Sequence, residues 1–210
     1  SLAAALMNLG ELLVEIDRLP EALPAYAQAR DAVAPLAERR PEITSDADAL
    51  ARALHGRGAV LRQLGRIEEA RRDLDAARAI RDDLAHREPG SPHHASELGS
   101  TLQQLAALHM QEGQHPGARE WAFWVVAWHR RAVAESPADE AFLRGLREAL
   151  STQFRVAVRL SDPDLAASAQ RGLSECDARG PKGATRGPTA RENPERLALA
   201  ERARDLRRHA

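Results

Sequence analysis

The chain has few aromatic residues, and this shortage limits the kind of core it can build. Phenylalanine, tryptophan and tyrosine make up only 3% of the 210 residues, although hydrophobic residues as a whole reach 43%. The apolar interior must therefore come mainly from alanine and leucine, small or flexible side chains that allow helices to pack closely. This composition favours an all-helical domain or a short solenoid and disfavours a β-sandwich.

Cysteines and long apolar runs are also scarce. Cys176 is the only cysteine, so no disulfide can form within the chain. No apolar run approaches the ~18 residues that indicate a transmembrane helix, and no signal peptide is visible. We therefore expect no membrane span and a cytoplasmic location. The formal net charge of −1 provides no overall attraction to nucleic acid, so we expect no nucleic-acid partner.

Motifs for catalysis and for cofactor binding are missing as well. Gly56-Arg57-Gly58 resembles the start of a dinucleotide-binding loop, but it lies in a predicted helix and follows no strand. Cys176 has no histidine and acid at the spacing of a known nucleophilic enzyme. We therefore predict that the chain is not an enzyme and needs no cofactor.

The histidines do not form a familiar metal-binding pattern. His93 and His94 are adjacent in a predicted turn, and His109 and His115 lie on either side of Gly113. Adjacent side chains point apart, and no cysteine or HxxxH pattern accompanies them. The expectation is solvated turn histidines and no metal site.

The segment from Leu54 to Ile80 has the pattern of a helical hairpin. Leu54, Leu61 and Leu64 share one helix face, and Gly65 then ends the helix. Apolar residues return at helical spacing from Ala70 onward, which predicts a second, antiparallel helix. One side of such a hairpin stays apolar, so the hairpin needs a neighbour.

The same pattern recurs at a shift of 48 residues along the chain. The repeated positions, here called columns, show four hairpins, of which the fourth is the most divergent. The clearest columns are Leu6, Leu54, Leu102 and Leu150; Ala22, Ala70, Ala118 and Ala166; Gly65 and Gly113; and Pro41, Pro89 and Pro137.

These columns resemble the tetratricopeptide (TPR) repeat, whose usual period is about 34 residues. The longer period here is similar to that of the repeats that follow the kinase domain in some bacterial serine/threonine protein kinases. The resemblance covers residues 1–176 and implies a right-handed α-solenoid of four TPR-like hairpins that binds other proteins. No kinase motif is present, so no kinase activity is implied.

Domain boundaries follow from the change in composition after Cys176. We predict an α-solenoid over 1–176, a Gly/Pro/Arg-rich flexible linker over 177–192 and a short basic helix over 193–210.

Pro24 and Pro35 interrupt the second predicted helix, which we expect to be kinked or split near Val33–Ala34. Since Ser1 already lies in a predicted helix, we expect the chain to be processed or part of a longer polypeptide.

The inner surface of the predicted solenoid is the first candidate binding site. In TPR proteins the first helix of each hairpin lines a concave groove, and the matching positions here run from acidic to basic along the chain. The predicted partner-binding residues are Glu11, Glu15, Arg52, His55, Arg62, Gln103, Gln111, Arg155 and Arg159.

Tryptophans form a second candidate site. Trp121, Trp124 and Trp128 are spaced to share one face of a helix, with Phe123 beside them. Rings in this arrangement either fill the space between hairpins three and four or form an exposed anchor for a partner.

The predicted function is protein–protein interaction, with a peptide or helix of another protein held in the groove. The alternatives are a regulatory segment of a larger bacterial signalling enzyme, such as a serine/threonine kinase, and a self-associating structural piece. Self-association could use the tryptophans or an uncovered end at Leu2. No feature of the sequence identifies the partner.

Overall fold

Residues 2–179 form eight α-helices in the computed structural model, which describes these residues apart from the side chains at 115, 116 and 179. No strand occurs in this range. The helices are α1 (Leu2–Glu15), α2 (Leu19–Arg39), α3 (Thr44–Gln63), α4 (Ile67–Arg87), α5 (Pro92–Gln111), α6 (His115–Glu135), α7 (Glu140–Arg159) and α8 (Pro163–Arg179).

Successive helices pair into four hairpins, and the 48-residue repeat is visible in where they begin. The second helices of the hairpins begin at positions 19, 67, 115 and 163, and α3, α5 and α7 begin at 44, 92 and 140. Helices α2, α4 and α6 have 21 residues each, and α3, α5 and α7 have 20 each. The predicted α-solenoid of four long hairpins is confirmed.

The turn within each hairpin uses the same unusual backbone conformation. Asp17, Gly65, Gly113 and Ser161 occupy one column, and their φ angles are 59°, 75°, 71° and 55°. This left-handed conformation ends the first helix of each hairpin and costs little energy for glycine. Glycine therefore occupies this turn position in two hairpins, and aspartate and serine adopt the same conformation in the other two.

The alanine column is buried in every hairpin. Ala22, Ala70 and Ala118 are fully buried, and Ala166 is 1% exposed. In the second hairpin the two backbones lie close together here, because a Cβ added at Gly58 of the facing helix would lie 3.3 Å from the Ala70 carbonyl oxygen.

The expected split of α2 near Val33–Ala34 is wrong, and the expected kink stays a prediction. The helix runs without interruption from Leu19 to Arg39 and includes Pro24 and Pro35. Pro24 lies in the first turns, where it removes a single backbone hydrogen bond. The buried face of α2, including Ala29 and Val33, holds the helix together beyond that point.

The end of the last helix also differs from the predicted boundary. Helix α8 continues to Arg179, three residues beyond the boundary predicted at Cys176. The remainder of the predicted linker, 180–192, and the predicted helix at 193–210 lie outside the described residues.

The apolar core is continuous from the second hairpin to the fourth. It includes Leu61, Leu74, Leu98, Val125 and Leu150. A second cluster joins the first hairpin to the second, where Met7, Tyr26 and Val60 come together. Neighbouring hairpins thus bury apolar sides against each other, as expected for a solenoid.

Candidate interaction surfaces

The first helices of the hairpins form the inner layer of the solenoid. Helices α1 and α3, α3 and α5, and α5 and α7 contact one another, whereas the second helices α2, α4, α6 and α8 do not touch each other. In a curved stack the elements that converge lie on the concave side. We call the solvent-facing side of α1, α3, α5 and α7 the inner face.

The acidic end of the inner face is partly neutralised. The Arg52 guanidinium donates to the Glu11 carboxylate, with 2.6 Å between Nη2 and Oε1. A further bond of 3.2 Å joins Arg52 to Asn8 Oδ1. Glu15 is exposed, and its carboxylate has no hydrogen bond or ion pair among the described residues. Glu15 is therefore the free negative charge at this end, and Arg52 links α3 to α1.

The middle of the inner face is polar and carries little free charge. Arg62 Nε donates to Gln104 Oε1 at 3.1 Å, and Arg62 Nη1 lies 3.4 Å from Gln111 Oε1. Burial lowers the pKa of Arg62. Gln103 is half-buried on the same helix as these amides. These contacts join α3 to α5, so Arg62 has a structural partner.

His55 is uncharged in the folded protein. Burial and the nearby Arg81 guanidinium lower the pKa of His55 to about 3. Its Nδ1 atom lies 3.4 Å from the Thr101 hydroxyl oxygen. This residue can contribute a hydrogen bond to the inner face, but not a positive charge at neutral pH.

The basic end of the inner face retains its charge. Arg155 and Arg159 are exposed one turn apart on α7. The Arg155 guanidinium donates to the Thr152 hydroxyl at 3.0 Å, and the Arg159 guanidinium has no hydrogen bond or ion pair within residues 2–179. Neither guanidinium has a carboxylate partner in that range. Two free cations therefore lie at the opposite end of the inner face from Glu15.

The tryptophans do not form a single patch. Trp121 and Trp128 pack against the core, and each lies near an arginine, Arg78 at 5.8 Å and Arg131 at 5.3 Å from the ring centres. Trp124 remains 45% exposed. An edge-on contact joins its ring to Phe123, which is 57% exposed. The exposed aromatic surface on α6 is thus this pair.

One group of side chains in the described residues has the composition of a metal site. The carboxylate of Asp48 and the imidazoles of His93 and His94 each offer a ligand atom, and these atoms lie within 4.8 Å of one another. The expectation of two solvated turn histidines is wrong for His94, which is buried in the first turn of α5. Sequence reasoning missed the group because Asp48 belongs to another hairpin.

A buried arginine also escaped sequence reasoning. Arg81 is 2% exposed and donates to the Glu97 backbone oxygen at 2.9 Å, as well as to the Glu97 carboxylate and the Thr101 hydroxyl. In the hairpins on either side, its column holds the buried residues Val33 and His129. An arginine in a column that is apolar or aromatic in both neighbouring hairpins is the signal that could have indicated it.

No protein-family model matches the chain, and no curated protein matches it in sequence. Among solved structures, the nearly identical TPR-like repeats of a putative kinesin light chain from Podospora anserina have a TM-score of 0.51 at 15% identity, covering 97% of this chain and 94% of that one. A filament-forming protein, DHF58, has a TM-score of 0.36 at 19% identity, covering 99% and 96%. The de novo designed helical repeat protein DHR64 has a TM-score of 0.30 at 17% identity, covering 99% and 93%.

The chain therefore has the fold of TPR-like helical repeat proteins. The comparisons support the repeat and do not support the kinase-linked form of it. None of the helices in the described range is long and apolar enough to cross a membrane.

Proposed function

We propose that the chain is a protein-interaction module that binds a segment of another protein along the inner face. The observation that carries this proposal is the free charge on Arg155 and Arg159, which have no carboxylate partner among the described residues. Glu15 lies at the opposite end of the same face. A bound peptide or helix is oriented with its acidic part toward the two arginines.

Two other arginines of the inner face are less available to a ligand than Arg155 and Arg159. Arg52 and Arg62 already have protein partners, so a ligand would have to displace those partners to reach either guanidinium. Charges that are free before binding attract a ligand without this cost, and they affect orientation and association rate more than affinity. A regulatory segment of a larger signalling enzyme would use the same surface, and that alternative stays a prediction.

The test is charge reversal of the two arginines. Association is measured with a peptide that has been selected against the full wild-type chain from a displayed library. The double variant Arg155→Glu, Arg159→Glu should slow association by roughly tenfold and weaken its dependence on salt. The matched control is Arg72→Glu, Arg171→Glu, which reverses two exposed arginines of the outer helices α4 and α8. If both variants associate at the wild-type rate, the ligand does not use the basic end of the inner face.

Self-association is a second candidate function, and one column of the repeat favours it. Val60, Leu108 and Val156 are 1%, 0% and 3% exposed because each covers the preceding hairpin. Leu12 in the same column is 54% exposed, and Leu2, Leu9 and Ile16 are exposed beside it. We call these last four residues, Leu2, Leu9, Leu12 and Ile16, the N-terminal face. It is an apolar helix-packing surface without a cover among the described residues.

The occupant that we propose for the N-terminal face is the same face of a second copy. The opposite end of the solenoid exposes polar residues of α8, Gln170 and Ser174, so head-to-tail stacking would bury polar groups on an apolar face. Two α1 helices packed antiparallel would bury leucine on leucine. Since α1 has 14 residues and is about 21 Å long, the contact is small and the dimer is weak.

Sedimentation velocity over a concentration series tests this second candidate. Wild type should show a concentration-dependent dimer that Leu9→Lys, Leu12→Lys abolishes. The control, Gln170→Lys and Ser174→Lys on α8, should dimerise like wild type. A wild-type chain that stays monomeric at every concentration, or a dimer that survives the α1 variant, would rule out this use of the N-terminal face.

A further inference from the structure

A cluster of potential metal ligands joins the second hairpin to the third. Asp48 lies near the start of α3, and His93 and His94 lie in the first turn of α5. The Asp48 carboxylate is 3.7 Å from His93 Nε2. On the other side, Glu88 Oε2 in the connection between α4 and α5 is 3.2 Å from His94 Nε2. Two imidazoles and two carboxylates thus converge from three segments of the chain.

The backbone holds the two histidines in place. Ser91 caps α5 by accepting a hydrogen bond from the His94 backbone N–H at 3.4 Å, and Pro92 begins the helix. The two imidazole rings are 5.5 Å apart with a 53° angle between their planes. Their side chains therefore do not diverge, as expected for adjacent residues, but each places a ring nitrogen within 4.8 Å of the Asp48 carboxylate.

The local charge favours a dication at this position. Two positive charges oppose the binding of a cation here, the positive end of the α5 dipole and the buried Arg81. The charge of Arg81 is offset because it is paired with Glu97. Asp48 and Glu88 remain as two negative charges beside two imidazoles. This balance suits a doubly charged ion that accepts nitrogen and oxygen ligands together.

The ligand types select the class of metal. Calcium and magnesium are held by oxygen ligands alone, whereas mixed imidazole and carboxylate ligands are typical of zinc and related transition metals. Bonds of about 2.0–2.1 Å around a tetrahedral ion separate the ligand atoms by roughly 3.3 Å. The ligand atoms of Asp48, His93 and His94 lie within 4.8 Å of one another, and Glu88 contacts His94 at 3.2 Å. These distances can close to that value by rotation of side chains, because His93 and Glu88 are exposed.

The ligand set is not part of the repeat. At the junction of the third and fourth hairpins the corresponding residues are Ser96, Ser136, Ala141 and Phe142, none of which is a usual zinc ligand. The cluster is therefore specific to one junction of the solenoid, where α3, α5 and the connection before α5 meet.

We propose that Asp48, His93 and His94, with Glu88 as the fourth ligand, bind a divalent transition-metal ion of the zinc type that clamps the second hairpin to the third. The ion replaces the two imidazole–carboxylate contacts with direct bonds to all four side chains. This site is separate from the inner face and does not depend on the proposed binding function.

Metal titration of the full chain without a polyhistidine tag tests the proposal. Calorimetry with Zn²⁺ should show one ion per chain, and Co²⁺ should produce the visible absorption bands of a tetrahedral site. Saturating Zn²⁺, at about 100 times the dissociation constant, should raise the melting temperature by roughly 5–10 °C. Asp48→Asn and His93→Gln, two residues that are not fully buried, should each weaken binding ~10- to 100-fold or more.

The matched control is His86→Gln. His86 is exposed and lies 3.8 Å from a carboxylate oxygen of Asp82, so it is a histidine–aspartate pair outside the cluster. This variant should bind Zn²⁺ and Co²⁺ like wild type. The proposal is overturned if wild type shows no saturable binding, or if Asp48→Asn and His93→Gln bind with wild-type affinity. Equal loss of binding in His86→Gln would place the ion elsewhere and overturn it as well.

Discussion

At several helix contacts of this solenoid, a large side chain on one helix faces a glycine on the other. The ring of Tyr26 occupies the space beside Gly10, where an added Cβ would lie 2.8 Å from the ring. In the next hairpin, Leu74 faces Gly58 in the same two columns. His129 lies between Gly99 and Gly145 in the same manner. Large residues are accommodated because a glycine faces each of them.

Replacing Ala70 tests the packing at a contact where the residues on both helices, Ala70 and Gly58, are small. Ala70→Leu should lower the free energy of unfolding by ~1–3 kcal/mol, because the larger side chain has no space at the closest helix contact. Urea unfolding followed by circular dichroism measures the change. Ala76→Leu, at an exposed position of the same helix, should change stability by less than about 0.5 kcal/mol. Equal stability of the two variants would argue against the alanine column as a packing constraint.

Buried His129 makes stability depend on pH. Neither ring nitrogen has a hydrogen-bond partner among the described residues, and burial lowers the pKa of His129 to about 4. In the unfolded chain its pKa is about 6.5, so on acidification the unfolded state takes up the proton first. Its contribution to stability is complete above about pH 6.5 and decreases toward pH 4, by up to ~1.4 kcal/mol per pH unit.

Urea unfolding at a series of pH values between these limits measures the effect. His129→Leu should reduce the loss of stability on acidification relative to wild type, whatever its stability at neutral pH. His86→Leu, which replaces an exposed histidine, should keep the wild-type pH dependence. A wild-type slope in His129→Leu would show that His129 titrates normally in the folded state.

At the scale of elements, the turn that joins the two helices of a hairpin is built four times with one backbone conformation. Glycine supplies it in the second and third hairpins, and Asp17 and Ser161 adopt it in the first and fourth. A residue with a Cβ is disfavoured in this conformation by roughly 1–2 kcal/mol. The turns at Asp17 and Ser161 are therefore strained relative to the two glycine turns.

Exchanging glycine and serine between two turns tests this difference. Ser161→Gly should raise the free energy of unfolding by about 0.5–1 kcal/mol, and Gly113→Ser should lower it by a similar amount. A side chain at Gly113 meets no atom within 4 Å, so the backbone alone causes the loss. Gly90→Ser, at a glycine that also has open space but lacks a positive φ, should be nearly neutral in thermal or urea unfolding.

On the scale of the whole molecule, one column has opposite environments at the end and in the middle of the stack. Val60→Lys places an ammonium group at the contact between the first two hairpins and should cost more than about 3 kcal/mol. Leu12→Lys makes the same change at the exposed equivalent of Val60 and should change the stability of the monomer by less than about 0.5 kcal/mol.

Thermal unfolding at low protein concentration compares the two variants, since self-association through α1 is then negligible. If Leu12→Lys were as destabilising as Val60→Lys, the N-terminal face would be buried in the monomer, contrary to the structure. Together the two results define where the stack of hairpins is covered and where it is open.

The sequence by itself determined the helices, their pairing into hairpins and the period of the repeat. Amphipathic spacing and a left-handed turn residue are local properties, encoded within a few residues of one another. The alanine column was predictable for the same reason, because a repeated small residue at a fixed helical position has few explanations. Residues such as Ala70 and Gly65 therefore specify the hairpin through their immediate neighbours alone.

Only the tertiary structure decided which charges and rings are free. Arg52 of α3 has the position of a binding residue in the repeat, yet it is paired with Glu11 of α1. Trp124 is exposed, whereas Trp121 and Trp128 pack against the core. The meeting of Asp48 with His93 joins residues far apart in the chain. Such contacts depend on the rotation and spacing of neighbouring helices, which are set by the packing of the whole core and cannot be read from any one segment.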